Sequence, residues 1–116
     1  MRTPQQSGVR LSAPHCILTV GVDDPSVQAA IERVGLRVLR VRHPLPACQR
    51  ILVMRPIVVV VGPMRAVDVE DVAASAAEVN ARVIEVAVIS EQRLTAVLQR
   101  VINAAVVERS ALPALR

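Results

Sequence analysis

Residues 55–62 read Arg-Pro-Ile-Val-Val-Val-Val-Gly, and this stretch decides the fold. Ile57 to Val61 are consecutive β-branched residues. A half-buried strand alternates apolar and polar side chains, whereas an unbroken β-branched run is buried on both faces. Such a strand lies at the centre of a parallel sheet with helices on either side. Pro56 opens it and Gly62-Pro63 closes it.

Working outward toward the N-terminus, Cys16 to Val22 is a first strand, ended by Asp23-Asp24-Pro25. Asp24 suits a helix N-cap and Pro25 the first helical position. Val27, Ala30, Ile31 and Val34 follow at helical spacing, and Gly35 stops that helix in the left-handed conformation. Leu36 to Arg42 reads as a second strand with Arg37, Arg40 and Arg42 on both faces, as suits a sheet edge. Pro44 and Pro46 break the chain before a short helix from Ala47 to Met54, with Cys48, Ile51 and Leu52 inward.

Toward the C-terminus, Asp68 is expected to cap a helix from Val69 to Val79, closed by Asn80. Its apolar stripe is Val72, Ala73, Ala76 and Val79. Arg82 to Ile89 is a fourth strand, and Ser90 caps a last helix from Glu91 to Arg109. Leu94, Val97, Leu98, Val101, Ile102 and Ala105 make that helix the clearest amphipathic segment in the chain. Four alternating strand–helix units predict an α/β sandwich, a parallel sheet with right-handed crossovers and helices on both faces. The chain of 116 residues is one domain. It is expected to span 16–109, with tails at 1–15 and 110–116.

Composition removes several functions. With 53% hydrophobic residues the chain is too apolar for disorder. All 14 basic residues are Arg, so neither a Schiff-base nor a P-loop lysine exists. There is no Phe, Tyr or Trp on which to stack bases. Cys16 and Cys48 form neither a disulfide framework nor a metal knuckle. They read as small buried hydrophobes; a Cys/His metal site with His15 and His43 is the weaker alternative. Ser26 and Ser90 read as helix-start residues, Ser75 as a packing position, and Met54 and Met64 as gap-filling core. The segment before Pro14 lacks the apolar core of a signal peptide, and no apolar run is long enough for a membrane span. A cytoplasmic protein without membrane contact is expected.

Ile17 to Ile31 is similar to the opening of response-regulator receiver domains: an apolar strand, an acidic pair and a Pro-Ser helix start. Gly35-Leu36-Arg37-Val38 matches the family's glycine-plus-strand step, and 55–62 resembles the third strand that ends in its phosphoacceptor aspartate. The resemblance implies a degenerate phosphorylation pocket at Val22, Asp23, Asp24, Gly62 and Ala87. Gly62 stands at the acceptor position, Val22 and Asp23 at the acidic pair, and Ala87 near the family's Thr/Ser. The family's lysine has no counterpart, and its fourth helix and fifth strand are missing, so the resemblance implies a flavodoxin-like sandwich on a small four-stranded parallel sheet in the order 2-1-3-4. Asp23 and Asp24 without a third carboxylate make a poor magnesium site, so neither metal nor cofactor is expected. The implied protein is a pseudo-receiver of bacterial signalling, not an enzyme, that binds partners without phosphorylation.

Charge is segregated along the sequence. Residues 33–66 hold seven Arg and no acid, whereas 67–92 hold six acids and one Arg. The expected partner surfaces are a basic edge at Arg33, Arg37, Arg40, Arg42, Arg50 and Arg55, and a second surface at Glu85, Glu91, Leu94 and Leu98. The partner is another protein or a second copy, since a mean hydropathy of +0.45 leaves room for a homodimer. No helix-turn-helix, ribbon or finger is present to read bases, so nucleic acid is not the expected partner. Two alternatives stay open. One is a small-ligand or nucleotide sensor using Gly21, Asp23, Asp24 and Gly62 at the strand carboxyl ends. The other is a structural protein that self-assembles through its opposite charged edges.

Overall fold

A computed structural model describes residues 15–111. The expected tails fall outside the described residues, apart from His15 at one end and 110–111 at the other, which belong to the last helix. The elements are β1 (Cys16–Val20), α1 (Pro25–Glu32), β2 (Arg37–Val41), α2 (Pro44–Met54), β3 (Val58–Val61), α3 (Ala66–Glu78), β4 (Arg82–Glu85) and α4 (Glu91–Ala111). A single 3-10 turn, Val86–Val88, joins β4 to α4. The fold is a flavodoxin-like α/β sandwich on a four-stranded sheet in the order β2-β1-β3-β4. Every pairing is parallel.

The β-branched run serves two cores at once. Val58 and Val60 pack with Ile17, Ala30, Ile31, Leu94 and Leu98 beneath α1 and α4. Val59 and Val61 pack with Leu18, Val20, Ile51, Val72 and Ala76 beneath α2 and α3. All four strand residues are buried, as the alternation of a strand between two helical layers demands. Thr95 Oγ1 donates to the Ala30 carbonyl at 2.9 Å, tying α4 to α1.

Local signals account for several boundaries. The Asp24 carboxylate accepts the Ser26 amide at 2.9 Å and Pro25 opens α1. Gly35 and Asn80 both adopt positive φ, at 89° and 58°, where their helices end.

Other boundaries move. Pro44 and Pro46 lie in the first turn of α2, where missing N–H groups cost nothing, so the helix starts three residues earlier than expected. Arg65, not Asp68, is the N-cap of α3; Asp68 lies in the first turn and pairs with Arg65 at 3.1 Å. Leu52 turns outward from α2 and is 45% exposed, contrary to its expected inner position. β4 stops at Glu85 rather than Ile89. Its partner β3 ends at Val61, in register with Glu85, so residues beyond have no ladder to join.

Candidate functional site

In an open parallel sheet the ligand crevice lies at the strand carboxyl ends, where the strand order reverses. Here that point lies between β1 and β3. Gly21 follows β1 with φ 65°, and its amide donates to the Val41 carbonyl at 2.9 Å. The Gly62 amide donates to the Val20 carbonyl at 2.8 Å. The chain after β1 therefore crosses directly over the end of β3. A Cβ on Gly62 would fall 2.7 Å from the Gly21 carbonyl carbon and 3.2 Å from the Val22 nitrogen. Backbone cannot yield as a flexible side chain does, so no residue with a side chain fits at position 62 in this backbone.

Beside this contact is a hollow of about 240 Å³ lined by Gly21, Val22, Asp23, Asp24, Val27, Gly62, Pro63 and Val86. It unites the expected Val22, Asp23, Asp24 and Gly62. Ala87 does not line it. That residue lies exposed in the 3-10 turn because β4 ends early, and Val86 takes the wall position. Asp23 and Asp24 are exposed at the rim, and Val22 is buried. The Gln28 amide holds the Val22 carbonyl at 2.7 Å, which fixes the turn. Among the described residues, no group of three or more His, Cys, Asp or Glu side chains converges as a metal site would.

The six arginines of the expected basic edge do not form one edge patch. Arg37 alternates with Leu39 on the α2/α3 side of β2, whereas Arg40 lies on the α1/α4 side and pairs with Glu32. Arg33 and Arg55 cap the C-terminal ends of α1 and α2, where a positive charge meets the negative pole of the helix. Both caps fall at the amino ends of the strands, and Arg42 falls at the carboxyl ends. The fold thus spreads the arginines along the strand axis, which linear charge counting does not reveal. Of the six, only Arg40 forms an ion pair among the described residues.

The second expected surface is corrected more sharply. Leu94 and Leu98 are fully buried against α1 and the sheet and cannot face a partner. Glu85 is exposed on the edge strand as expected. The Glu91 side chain lies outside the described set.

Sequence reading missed a feature at the opposite end of the sheet. The Arg109 guanidinium donates to the carbonyls of Arg55, Pro56 and Val79 at 3.3, 2.7 and 3.2 Å. It fastens the end of α4 to the α2–β3 connection and to the end of α3. Burial lowers its pKa, and the nearby Arg55 charge adds to this. Burial and Arg109 likewise hold His15 below the ordinary imidazole range. Burial raises the Cys16 thiol, against the opposing charges of Arg37 and Arg109. The one available signal, an arginine in the last turn of a helix, is too common to single out.

Comparison with family models, with curated proteins and with solved structures returns no match. Among the described residues, no helix is long and apolar enough to cross a membrane.

Proposed function

We propose that this chain is a non-catalytic protein-interaction module of bacterial signalling or regulation, receiver-like in layout but independent of phosphorylation. The carrying observation is the contact of Gly62 with the Gly21–Val22 backbone, which leaves no room for an acceptor carboxylate at the end of β3. With no acceptor at the end of β3 and no converging set of carboxylates among the described residues, binding rests on surfaces already in place. The arginines without acidic partners among the described residues, Arg33, Arg37, Arg42, Arg50 and Arg55, supply charge for steering a protein partner.

The test uses acetyl phosphate with Mg²⁺ and intact-mass detection. The expected result is an unmodified chain. A stoichiometric, hydroxylamine-labile phosphoryl adduct would overturn the reading, because that lability marks an acyl phosphate.

A second reading, a small-ligand sensor, has its own observation in the hollow of about 240 Å³ at the order reversal. That volume falls below the roughly 300–1,000 Å³ of pockets for drug-sized ligands. Asp23 and Asp24 at its rim repel phosphate, so this reading takes a ligand smaller than a nucleotide. Saturable binding abolished by Val86→Trp is its expected signature.

A further inference from the structure

We propose that the outer surface of α2 and α3 is a two-fold interface between two copies of this chain. The inference rests on the interaction-module reading and names its partner. Among the described residues, four of the five large hydrophobic side chains that stand exposed lie on these two helices: Leu45 (73%), Leu52 (45%) and Val53 (76%) on α2, and Val67 (52%) on α3. Isolated exposed apolar residues are ordinary, but a concentration on one face marks an interface. The two helices pack side by side, so their outer surfaces are continuous. Between them is an open hollow of about 480 Å³, walled by Leu45 and Cys48 on one side and by Arg65, Asp68, Asp71 and Ala74 on the other, which can receive a side chain from outside.

Charge selects a second copy as the occupant. The exposed charges of α2 and its cap are Arg50 and Arg55, without acidic partners among the described residues. The exposed charges of α3 are Glu70, Asp71 and Glu78, and its exposed cap Arg65 is paired with Asp68. One surface therefore carries a basic half beside an acidic half, which is the self-complementarity an isologous contact requires. Both helices start at the strand carboxyl ends and run back in the same direction. A two-fold axis along them lays α2 of each copy over α3 of the other, roughly parallel. At about 1.5 Å rise per residue, Leu45 comes level with Val67, Arg50 with Glu70, Val53 with Ala74 and Arg55 with Glu78, each within about one turn. The small exposed Ala74 and Ala77 of α3 admit Leu52 and Val53 of the other copy.

Sedimentation velocity on the full chain, from low to high micromolar, tests this. A concentration-dependent dimer is expected. Val53→Glu, at an exposed position that leaves the monomer core untouched, weakens it about tenfold or more. Arg50→Glu and Glu70→Arg each weaken the dimer, and the double variant restores it. A chain that stays monomeric throughout overturns the interface while leaving the interaction-module reading intact. So does a dimer that ignores Val53→Glu and both charge variants. Uptake of phosphate from acetyl phosphate overturns the module reading whatever the oligomeric state.

Discussion

Gly62 lies directly beneath the Gly21 carbonyl, so the carboxyl end of the central strand is closed by backbone rather than by a side chain. This contact lets the β1–α1 turn sit on β3, and it leaves no room for a side chain at the end of that strand.

Gly62→Ala and Gly62→Asp are expected to destabilise the chain by about 2–3 kcal/mol, the upper range for overpacking a site that cannot relax. Gly21→Ala costs less, about 1 kcal/mol, because its Cβ meets nothing closer than 3.6 Å and only the positive φ is strained. Urea titration ranks the three. Equal losses at positions 21 and 62 would contradict the steric account.

Arg109→Ala strands three carbonyls that one guanidinium satisfies, and a loss of about 2 kcal/mol is expected. Arg109→Lys recovers only part, since an ammonium does not present the planar fork that reaches all three. Hydrogen exchange should then report loosening at the C-terminal end of α4 before the rest of the domain. Wild-type stability in Arg109→Ala would show that the bonds add nothing net.

Removing the Asp24 cap by Asp24→Ala is expected to cost about 1 kcal/mol, with Asp24→Asn close to wild type. Thermal unfolding of the pair separates loss of the cap from loss of rim charge, because only the alanine variant lacks the acceptor oxygen.

The two thiols should differ in kinetics. Cys48 is half-buried and Cys16 buried, with burial holding the Cys16 thiol above its ordinary pKa. Under native conditions iodoacetamide is expected to modify Cys48 first and Cys16 only through opening of the domain. The linkage has a definite sign. Above the ordinary thiol pKa the unfolded chain loses its Cys16 proton while the folded chain keeps it, so stability falls as pH rises through that window. Cys16→Ala should remove this alkaline slope.

His15 produces the opposite slope at acid pH. Its folded pKa lies below the ordinary imidazole value, so on acidification the unfolded chain binds a proton first. Stability contributed by neutral His15 is complete above the ordinary value and declines as pH falls below it. His15→Gln is expected to flatten the curve in that window, as measured by urea midpoints.

The amino-acid sequence by itself determined the strand–helix alternation, the central place of 57–61, the Asp24 cap, and the left-handed stops at Gly35 and Asn80. Each rests on interactions within a few residues or on a periodicity that survives in one dimension. Pro44 and Pro46 were legible only as breaks, since a proline in a loop and one in a first helical turn obey the same local rule. Only the tertiary structure decided why position 62 is glycine, because the Gly21 carbonyl that excludes a side chain is forty-one residues away in the chain. The same holds for the three carbonyls gathered by Arg109, which come from two separate connections. It holds too for the arginines of 33–55, grouped in sequence but spread along the strand axis, with Arg33 and Arg55 at the amino ends and Arg42 at the carboxyl ends. Long-range contacts and helix polarity are properties of the folded chain, and a local pattern records neither.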